Sequence, residues 1–176
     1  MIWRWESVAA LLTRFNLTSS GVEVGVKEGK FSAHLLTVFP ALKMTGVDPY
    51  EPQPQSESMG YADYRGWNFK NILTALDKNT SKFGNRFVLL REYSLTAAAK
   101  FEPQSVDFVF IDAQHTYDGV REDILAWKDK IKPGGILCGH DYDFTRPRFA
   151  DVIRAVDDYA GPVQQADDHV WWRAIE

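Results

Sequence analysis

The fold is decided by residues 106–143, which read VDFVFIDAQHTYDGVREDILAWKDKIKPGGILCGHDYD. Two apolar segments typical of buried strands, VDFVFID and GGILCGHD, end in acidic or imidazole side chains, and an amphipathic helix separates them. In an open parallel sheet, the carboxyl ends of neighbouring strands border the crevice that binds ligands. We therefore expect one site to gather Asp112, His115, His140 and Asp141. Converging ionisable groups destabilise a fold but serve chemistry, so the pattern favours an enzyme.

Composition predicts one domain, residues 1–176, because a chain of 176 residues that is 45% hydrophobic can bury one sizeable core. The net charge of −4 argues against a nucleic-acid or anionic-membrane partner, since no basic surplus exists to neutralise phosphates. Cys138 is the only cysteine and lies in an apolar segment, which indicates a buried, inert thiol. With no internal disulfide, no signal-peptide pattern and no long apolar run at the start, we expect a cytoplasmic protein.

Strand and helix patterns alternate along the chain. Strands are predicted near 22–26, 43–47, 86–90 and 108–111, after a turn at 132–135, and near 163–165 and 170–175. Helices are predicted over a lead-in segment at 1–16, then from 31 to 39, 68 to 78, 95 to 101, 120 to 131 and 149 to 156. This order predicts an α/β fold: a doubly wound, three-layer, Rossmann-like domain with a mostly parallel sheet. The last two strands are too close for a helical crossover and should form an antiparallel hairpin.

The segment 50–67 does not fit this alternation. It is polar and carries four aromatic residues: Tyr50, Tyr61, Tyr64 and Trp67. Structureless connections of this length are uncommon in compact domains unless they have a function, so we interpret the segment as a lid-like loop. Its aromatic residues either contact a substrate or anchor the loop to the body.

A glycine turn follows the first predicted strand, in the sequence GVEVGVKEG at 21–29. Such a turn presents backbone amides and a helix N-terminus to a ligand, with Gly25 and Gly29 as the permissive positions. It matches only part of the dinucleotide fingerprint, so an ordinary strand–helix turn explains it equally well. Asp48, at the end of the second strand, either accepts ribose hydroxyls or caps a turn.

The segments VEVGVKEGKFS, TGVDPY, LLREYSLTAA, FVFIDAQHTYDG and KPGGILCGHDY together resemble the class I S-adenosylmethionine-dependent methyltransferases, especially small bacterial members with GHDY after the fifth strand. The resemblance implies a seven-stranded sheet with an antiparallel last strand. It also implies S-adenosylmethionine as cofactor, with Glu23, Gly25 and Gly29 at its methionine end, Asp48 at its ribose, Ser94 beside its adenine and Asp112 below its methyl group.

The resemblance further implies a divalent metal at Asp112, His140 and Asp141, the positions that hold one in catechol-type and antibiotic-sugar O-methyltransferases. His140 departs from those families, which usually carry a carboxylate there. Histidine favours Zn²⁺, Mn²⁺ or Fe²⁺ over Mg²⁺. Alternatively no metal binds, and His115, His140 and Asp141 form the catalytic group, with His115 as general base.

These observations lead to the hypothesis of an O-methyltransferase that acts on a small polar or sugar-like hydroxyl compound. A non-catalytic cofactor-binding or assembly protein that retains the fold is the first alternative. An NAD-dependent oxidoreductase is the second, and the incomplete GxGxxG pattern counts against it. A second copy of the chain, in a homodimer, could complete the acceptor site.

Overall fold

Seven strands form one sheet in the computed structural model, which describes residues 2–51 and 67–176. The strands are β1 Ser20–Val24, β2 Lys43–Val47, β3 Phe87–Leu90, β4 Val106–Ile111, β5 Ile131–Gly139, β6 Gln164–Gln165 and β7 Trp171–Ala174. Their order is β3-β2-β1-β4-β5-β7-β6, and β7 is antiparallel to both of its neighbours while the other pairs are parallel. The predicted mostly parallel sheet and its closing antiparallel hairpin are therefore confirmed.

Six α-helices cover the two faces of the sheet in the described ranges. They are α1 Arg4–Phe15, α2 Lys30–Val38, α3 Phe69–Thr80, α4 Ser94–Ala98, α5 Tyr117–Trp127 and α6 Ala150–Tyr159. Helices α4, α5 and α6 pack with the sheet in one apolar cluster, and α1 and α2 pack with it in a second cluster on the other face. This arrangement is the predicted three-layer, doubly wound architecture. None of the described helices is long and apolar enough to span a bilayer.

The boundary between α5 and β5 differs from the prediction. The sequence pattern predicts that the helix continues to Ile131, with a turn at 132–135 before the strand. Instead α5 ends at Trp127 and β5 already begins at Ile131. The pairing with β4 jumps from Val106–Ile131 to Phe108–Ile136, so the Lys-Pro-Gly-Gly segment is an irregular bulge within the strand.

Adjacent tryptophans on β7 anchor both faces of the sheet. Side chains alternate along a strand, so Trp171 and Trp172 point to opposite faces. Trp171 belongs to the cluster that contains α5 and α6, while Trp172 belongs to the cluster that contains α1. Both are almost fully buried. Trp127 is also completely buried, as its position on the predicted stripe of α5 indicates.

Candidate functional site

The strand order reverses direction between β1 and β4, and the candidate site lies at the carboxyl ends of the strands around this point. Backbone hydrogen bonds continue one residue beyond each strand: Gly25 N donates to Val47 O (2.9 Å), Asp112 N to Val24 O (2.8 Å) and His140 N to Ile111 O (3.1 Å). The sheet register thus sets Gly25, Asp112 and His140 side by side. This is where ligands bind in open α/β sheets.

Asp141 joins the two histidines of the predicted site. Its Oδ2 lies 2.7 Å from His115 Nε2, and its Oδ1 lies 3.1 Å from His140 Nδ1. Burial alone would raise the pKa of Asp141, but the hydrogen bonds and charges of the two histidines hold it well below its usual range. Asp141 has a φ of 62°, in the left-handed region that non-glycine residues rarely adopt. Such strain is characteristic of functional sites.

Asp112 lies next to this group, at the end of β4. Its Oδ1 is 3.8 Å from His140 Nδ1, and its Oδ2 is 3.1 Å from Arg4 Nε. Burial raises the pKa of Asp112 in spite of these two opposite charges. For His140, burial lowers the pKa, but the hydrogen bond to Asp141 and the charge of Asp112 outweigh it, so the net change is upward.

The predicted convergence of Asp112, His115, His140 and Asp141 is therefore confirmed. Asp112, His115 and Asp141 each offer one ligand atom, and these atoms lie within 4.8 Å of one another. Two carboxylates and an imidazole form a donor set that suits a divalent transition metal. The predicted set has His140 as its third ligand, whereas the group within this distance contains His115 instead. The metal site stays a prediction.

The glycine turn after β1 packs directly against the end of β4. Gly25 has a φ of +90°, and a Cβ at this position would lie 2.2 Å from the Asp112 carbonyl oxygen. Only glycine fits such a close approach of two backbones. Gly29, with a φ of 69°, immediately precedes α2 as its N-cap. Both glycines are thus required by backbone geometry, whatever ligand the turn holds.

Glu23 is buried on β1 and faces the start of α2. Its Oε2 accepts a hydrogen bond of 2.5 Å from Ser32 Oγ. Burial raises the pKa of Glu23 to about 8, although the hydrogen bond from Ser32 opposes this change. A buried carboxyl group with a raised pKa at the edge of a cavity is a candidate for contact with a ligand, because a hydrogen-bond donor or a positive charge of the ligand would stabilise its ionised form.

Asp48 holds the glycine turn in place. Its Oδ2 accepts hydrogen bonds of 3.0 Å from both Val26 N and Lys27 N, and its Oδ1 accepts one of 2.9 Å from Tyr50 N. These contacts match the turn-capping alternative. Because carboxylate oxygens have further lone pairs, the ribose-binding role stays a prediction. Ser94 Oγ accepts a hydrogen bond of 2.8 Å from Trp127 Nε1, and its place beside adenine likewise stays a prediction.

All of the predicted site residues except Gly29 line one cavity of about 1030 Å³. Glu23, Gly25, Asp48, Ser94, Asp112, His115, His140 and Asp141 all border it. Of the predicted lid, residues 52–66, including Tyr61 and Tyr64, lie outside the described part of the chain. Tyr50 is buried and donates a 2.8 Å hydrogen bond to Lys27 O, which is an anchoring contact. Trp67 borders the cavity, where Lys27 Nζ lies 4.4 Å from its ring centroid.

Arg4 and Asp123 are among the charged residues of the cavity wall that sequence reasoning missed. Arg4 was not predicted because nothing in the sequence of the lead-in helix indicates that its first turn lies next to the strand ends. Asp123 lies next to the apolar stripe of α5, and the pattern alone does not distinguish its carboxyl group from those of an ordinary solvated face. An acidic residue adjacent to Ile124 on a buried stripe was the available signal.

Comparison with known proteins agrees with this geometry. Residues 22–142 match the profile of a family described as a methyltransferase domain. No relative among the curated proteins matches the chain.

Solved structures share the fold at low sequence identity. A calicheamicin methyltransferase, CalS11, is 18% identical with a TM-score of 0.66, covering 98% of this chain and 80% of that one. A Corynebacterium glutamicum protein is 17% identical with a TM-score of 0.64, covering 97% and 82%. A Staphylococcus aureus protein assigned as a caffeoyl-CoA O-methyltransferase is 16% identical with a TM-score of 0.64, covering 98% and 82%.

Proposed function

Because this chain belongs to the methyltransferase-domain family, we propose that it transfers a methyl group from S-adenosylmethionine to a hydroxyl group of a small polar or sugar-like compound. The observation that carries this proposal is the group formed by His115, Asp141 and His140 beside Asp112, at one end of a cavity of about 1030 Å³. The volume falls at the upper end of the range typical of small-molecule and cofactor sites, and leaves space for a cofactor and an acceptor.

In this proposal the cofactor extends from the glycine turn to the loop after β3. Glu23 and the backbone around Gly25 and Gly29 hold its methionine end. Asp48 takes the ribose, Ser94 lies beside the adenine and Asp112 lies below the methyl group. The buried position of Glu23 supports this assignment, since a carboxyl group with a pKa near 8 gains from a cationic or N–H donor.

Methyl transfer from a sulfonium is an in-line displacement, so the protein mainly has to orient the acceptor and remove its proton. We assign the proton of the acceptor to Nδ1 of His115, because Nε2 of the same ring lies 2.7 Å from Asp141 Oδ2 and is occupied by this ion pair. Asp141 fixes the ring and stabilises its charged form. The Nε2 of His140 is buried and lies 3.7 Å from Asp168 Oδ2, so His140 contributes charge and position rather than proton transfer.

A divalent metal fits the same residues. Asp112, Asp141 and His115, with His140 alongside, would hold the ion, and a bound ion would lower the pKa of an acceptor hydroxyl. Two carboxylates with imidazole favour Mn²⁺, Zn²⁺ or Fe²⁺ over Mg²⁺. Asp141 is required in both cases: without a metal it positions His115, and with a metal it is one of the ligands.

Calorimetric titration with S-adenosylhomocysteine tests the cofactor, with NAD titrated in parallel. We expect S-adenosylhomocysteine to bind and NAD not to bind. Absence of binding by S-adenosylhomocysteine would refute the proposed function, and binding of NAD alone would support the oxidoreductase.

Transfer of a labelled methyl group to a panel of sugars, phenols and hydroxy acids tests catalysis. Asp141→Ala should bind S-adenosylhomocysteine like the wild type and lose at least about a hundredfold in transfer rate, the usual effect of removing a residue that orients a catalytic histidine. Asp129→Ala, at an exposed position of the short 3-10 helix that follows α5, is the matched control. Equal transfer rates in Asp141→Ala and the wild type would contradict the role of Asp141. Binding of S-adenosylhomocysteine by a wild type that methylates no compound of the panel would favour a cofactor-binding protein without catalysis.

A further inference from the structure

Arg148 is a cation of the cavity wall to which the proposed methyl transfer gives no role. It belongs to a short 3-10 helix, Pro147–Phe149, in the chain after β5, and it borders the same cavity as His115 and Asp141. Its guanidinium carbon lies 4.6 Å from the centroid of the Phe149 ring. A guanidinium group stacks favourably on the face of an aromatic ring, so this contact limits the positions that the charge can take. The wall therefore carries a positive charge at a defined place.

The ring of Phe149 connects Arg148 to the residue that receives the proton of the acceptor. Phe149 is buried, and its ring meets that of His115 edge to face, with 5.5 Å between the centroids. A general base has to lie within hydrogen-bonding distance of the group that it deprotonates, so the reactive hydroxyl is held against His115. Because His115 and Arg148 contact the same ring, a second group of a small acceptor comes within reach of Arg148.

The two carboxylates at this end of the cavity have other cationic partners. Asp112 pairs with Arg4 at 3.1 Å, and Asp141 pairs with His115 at 2.7 Å and with His140 at 3.1 Å. The arginine after β5 adds a positive charge beyond these pairs. A cleft with a surplus of one charge attracts ligands of the opposite charge. This end of the cavity therefore suits an acceptor that carries an anionic group.

Two lysines of the cavity wall belong instead to the glycine turn and to the start of α2. Lys30 Nζ pairs with Glu28 Oε2 at 2.5 Å, and Lys27 Nζ lies over the Trp67 ring, 4.4 Å from its centroid. Both lysines follow β1, where the proposed arrangement places the methionine end of the cofactor. These two lysines would therefore meet the cofactor, whereas Arg148 would meet the acceptor.

We infer that Arg148 binds an anionic oxygen group of the methyl acceptor, a carboxylate or a phosphate, and so selects an acidic acceptor over a neutral one. This inference rests on the proposed function, which places the reactive hydroxyl at His115. A guanidinium group presents a planar fork of N–H donors that matches two oxygens of a carboxylate or phosphate. Because the ring of Phe149 already orients this fork, little side-chain freedom is lost on binding. The acceptor is thus a hydroxy acid or a phosphorylated hydroxyl compound.

Binding of three sugars to the protein saturated with S-adenosylhomocysteine tests this inference. Glucose, glucuronate and glucose 6-phosphate share their ring hydroxyls and differ in the group at carbon 6, and a chelator keeps metal ions from holding the anions. We expect calorimetry to show that at least one anion binds about tenfold or more tightly than glucose, the usual effect of a hydrogen bond to a charged group. The tighter anion identifies the group as carboxylate or phosphate. Arg148→Gln should bind all three equally, and Arg148→Lys should keep part of the preference, since it retains the charge without the fork.

Arg154→Gln is the matched control, because Arg154 also lies over an aromatic ring, that of Tyr117 at 3.9 Å, but is not among the described residues that line the cavity. It should keep the preference of the wild type. Circular dichroism and unchanged affinity for S-adenosylhomocysteine establish that each variant is folded. A preference for an anion that persists in Arg148→Gln would overturn the inference, as would a wild type that binds neither anion more tightly than glucose. Both results leave the proposed function intact, which fails only if the wild type does not bind S-adenosylhomocysteine.

Discussion

Gly25 is the residue at which the glycine turn touches the acidic end of β4. Two separate features exclude a side chain there: the φ of +90°, and the Asp112 carbonyl oxygen 2.2 Å from where a Cβ would lie. The positive φ costs about 1–2 kcal/mol for an L-residue. The close carbonyl oxygen would force the backbone of the glycine turn or of β4 to move. The register of β1 and β4 fixes both, so the position of Asp112 depends directly on the absence of a side chain at residue 25.

Gly25→Ala should therefore lower the free energy of unfolding by about 3 kcal/mol or more, and weaken binding of S-adenosylhomocysteine, because relief of the clash moves Asp112. Urea unfolding and calorimetry measure the two effects. Gly134→Ala separates the two causes, since Gly134 has a φ of +81° but a Cβ added to it would meet no described atom within 4 Å. Gly134→Ala should therefore lose only the part of the free energy of unfolding that comes from the unfavourable backbone conformation. Equal losses in both variants would show that the contact with Asp112 is unimportant.

Glu23 makes the stability of the protein depend on pH. Burial raises its pKa from 4.5 to about 8 in the folded protein. Below pH 4.5 the carboxyl group is protonated in both states and has no net effect. As the pH rises to about 8, the unfolded state ionises while the folded state does not, so stability falls, by at most about 5 kcal/mol. Above about pH 8 this contribution is constant.

Glu23→Gln should remove that dependence and retain an acceptor for Ser32. We expect the variant to be more stable than the wild type at about pH 9, by up to several kcal/mol, and to differ much less at about pH 5. Urea unfolding at the two pH values measures the difference. A stability difference that is the same at both would contradict the assignment of a raised pKa to Glu23.

At the scale of single elements, α1 both covers one face of the sheet and places a charged residue in the candidate site. Its first residue, Arg4, pairs with Asp112 at 3.1 Å, and the Arg4 backbone N–H donates to Asp168 Oδ2 at 2.7 Å. Ser7 Oγ also donates to Asp167 O at 2.9 Å. The N-terminus of α1 is thus tied to the loop before β7, and this fixes a guanidinium group beside the strand-end carboxylates.

Arg4→Gln should raise the affinity for Mn²⁺ about tenfold, because a fixed positive charge a few ångströms from a metal site repels a cation. Electron paramagnetic resonance of free Mn²⁺ measures this affinity. Arg14→Gln is the control, since Arg14 lies at the other end of α1 and its guanidinium packs over Phe15. An unchanged affinity in Arg4→Gln would place the ion away from Asp112, and no binding by either protein would remove the metal from the proposal.

For the whole molecule, the sequence was sufficient where local pattern and sheet geometry agree. Alternating strands and helices led to the layers, and the strand-end rule led to the group around Asp141. It was insufficient where residues distant in sequence meet. Nothing local predicts that Arg4 reaches Asp112, since this depends on how α1 packs across the sheet. The bulge in β5 was missed because Lys-Pro-Gly-Gly is also a typical helix-ending turn.

The two tryptophans of β7 test how the two layers of helices depend on the sheet. Removal of either side chain should lower the free energy of unfolding by about 3–5 kcal/mol, the usual cost of truncating a buried Trp. The local effects should differ, because Trp172 packs with its ring 5.4 Å from that of Phe15 in α1, whereas Trp171 packs in the cluster that contains α6.

Amide hydrogen exchange under native conditions reports these local effects, because it follows the opening of individual elements. Trp172→Ala should speed exchange in α1 and leave α6 protected, and Trp171→Ala should do the reverse. Loosening of α1 in Trp172→Ala would also release Arg4 from Asp112, so its Mn²⁺ affinity should rise toward that of Arg4→Gln. Equal exchange in α1 and α6 for both variants would mean that the two layers open together, and that α1 acts on the site only as part of the whole fold.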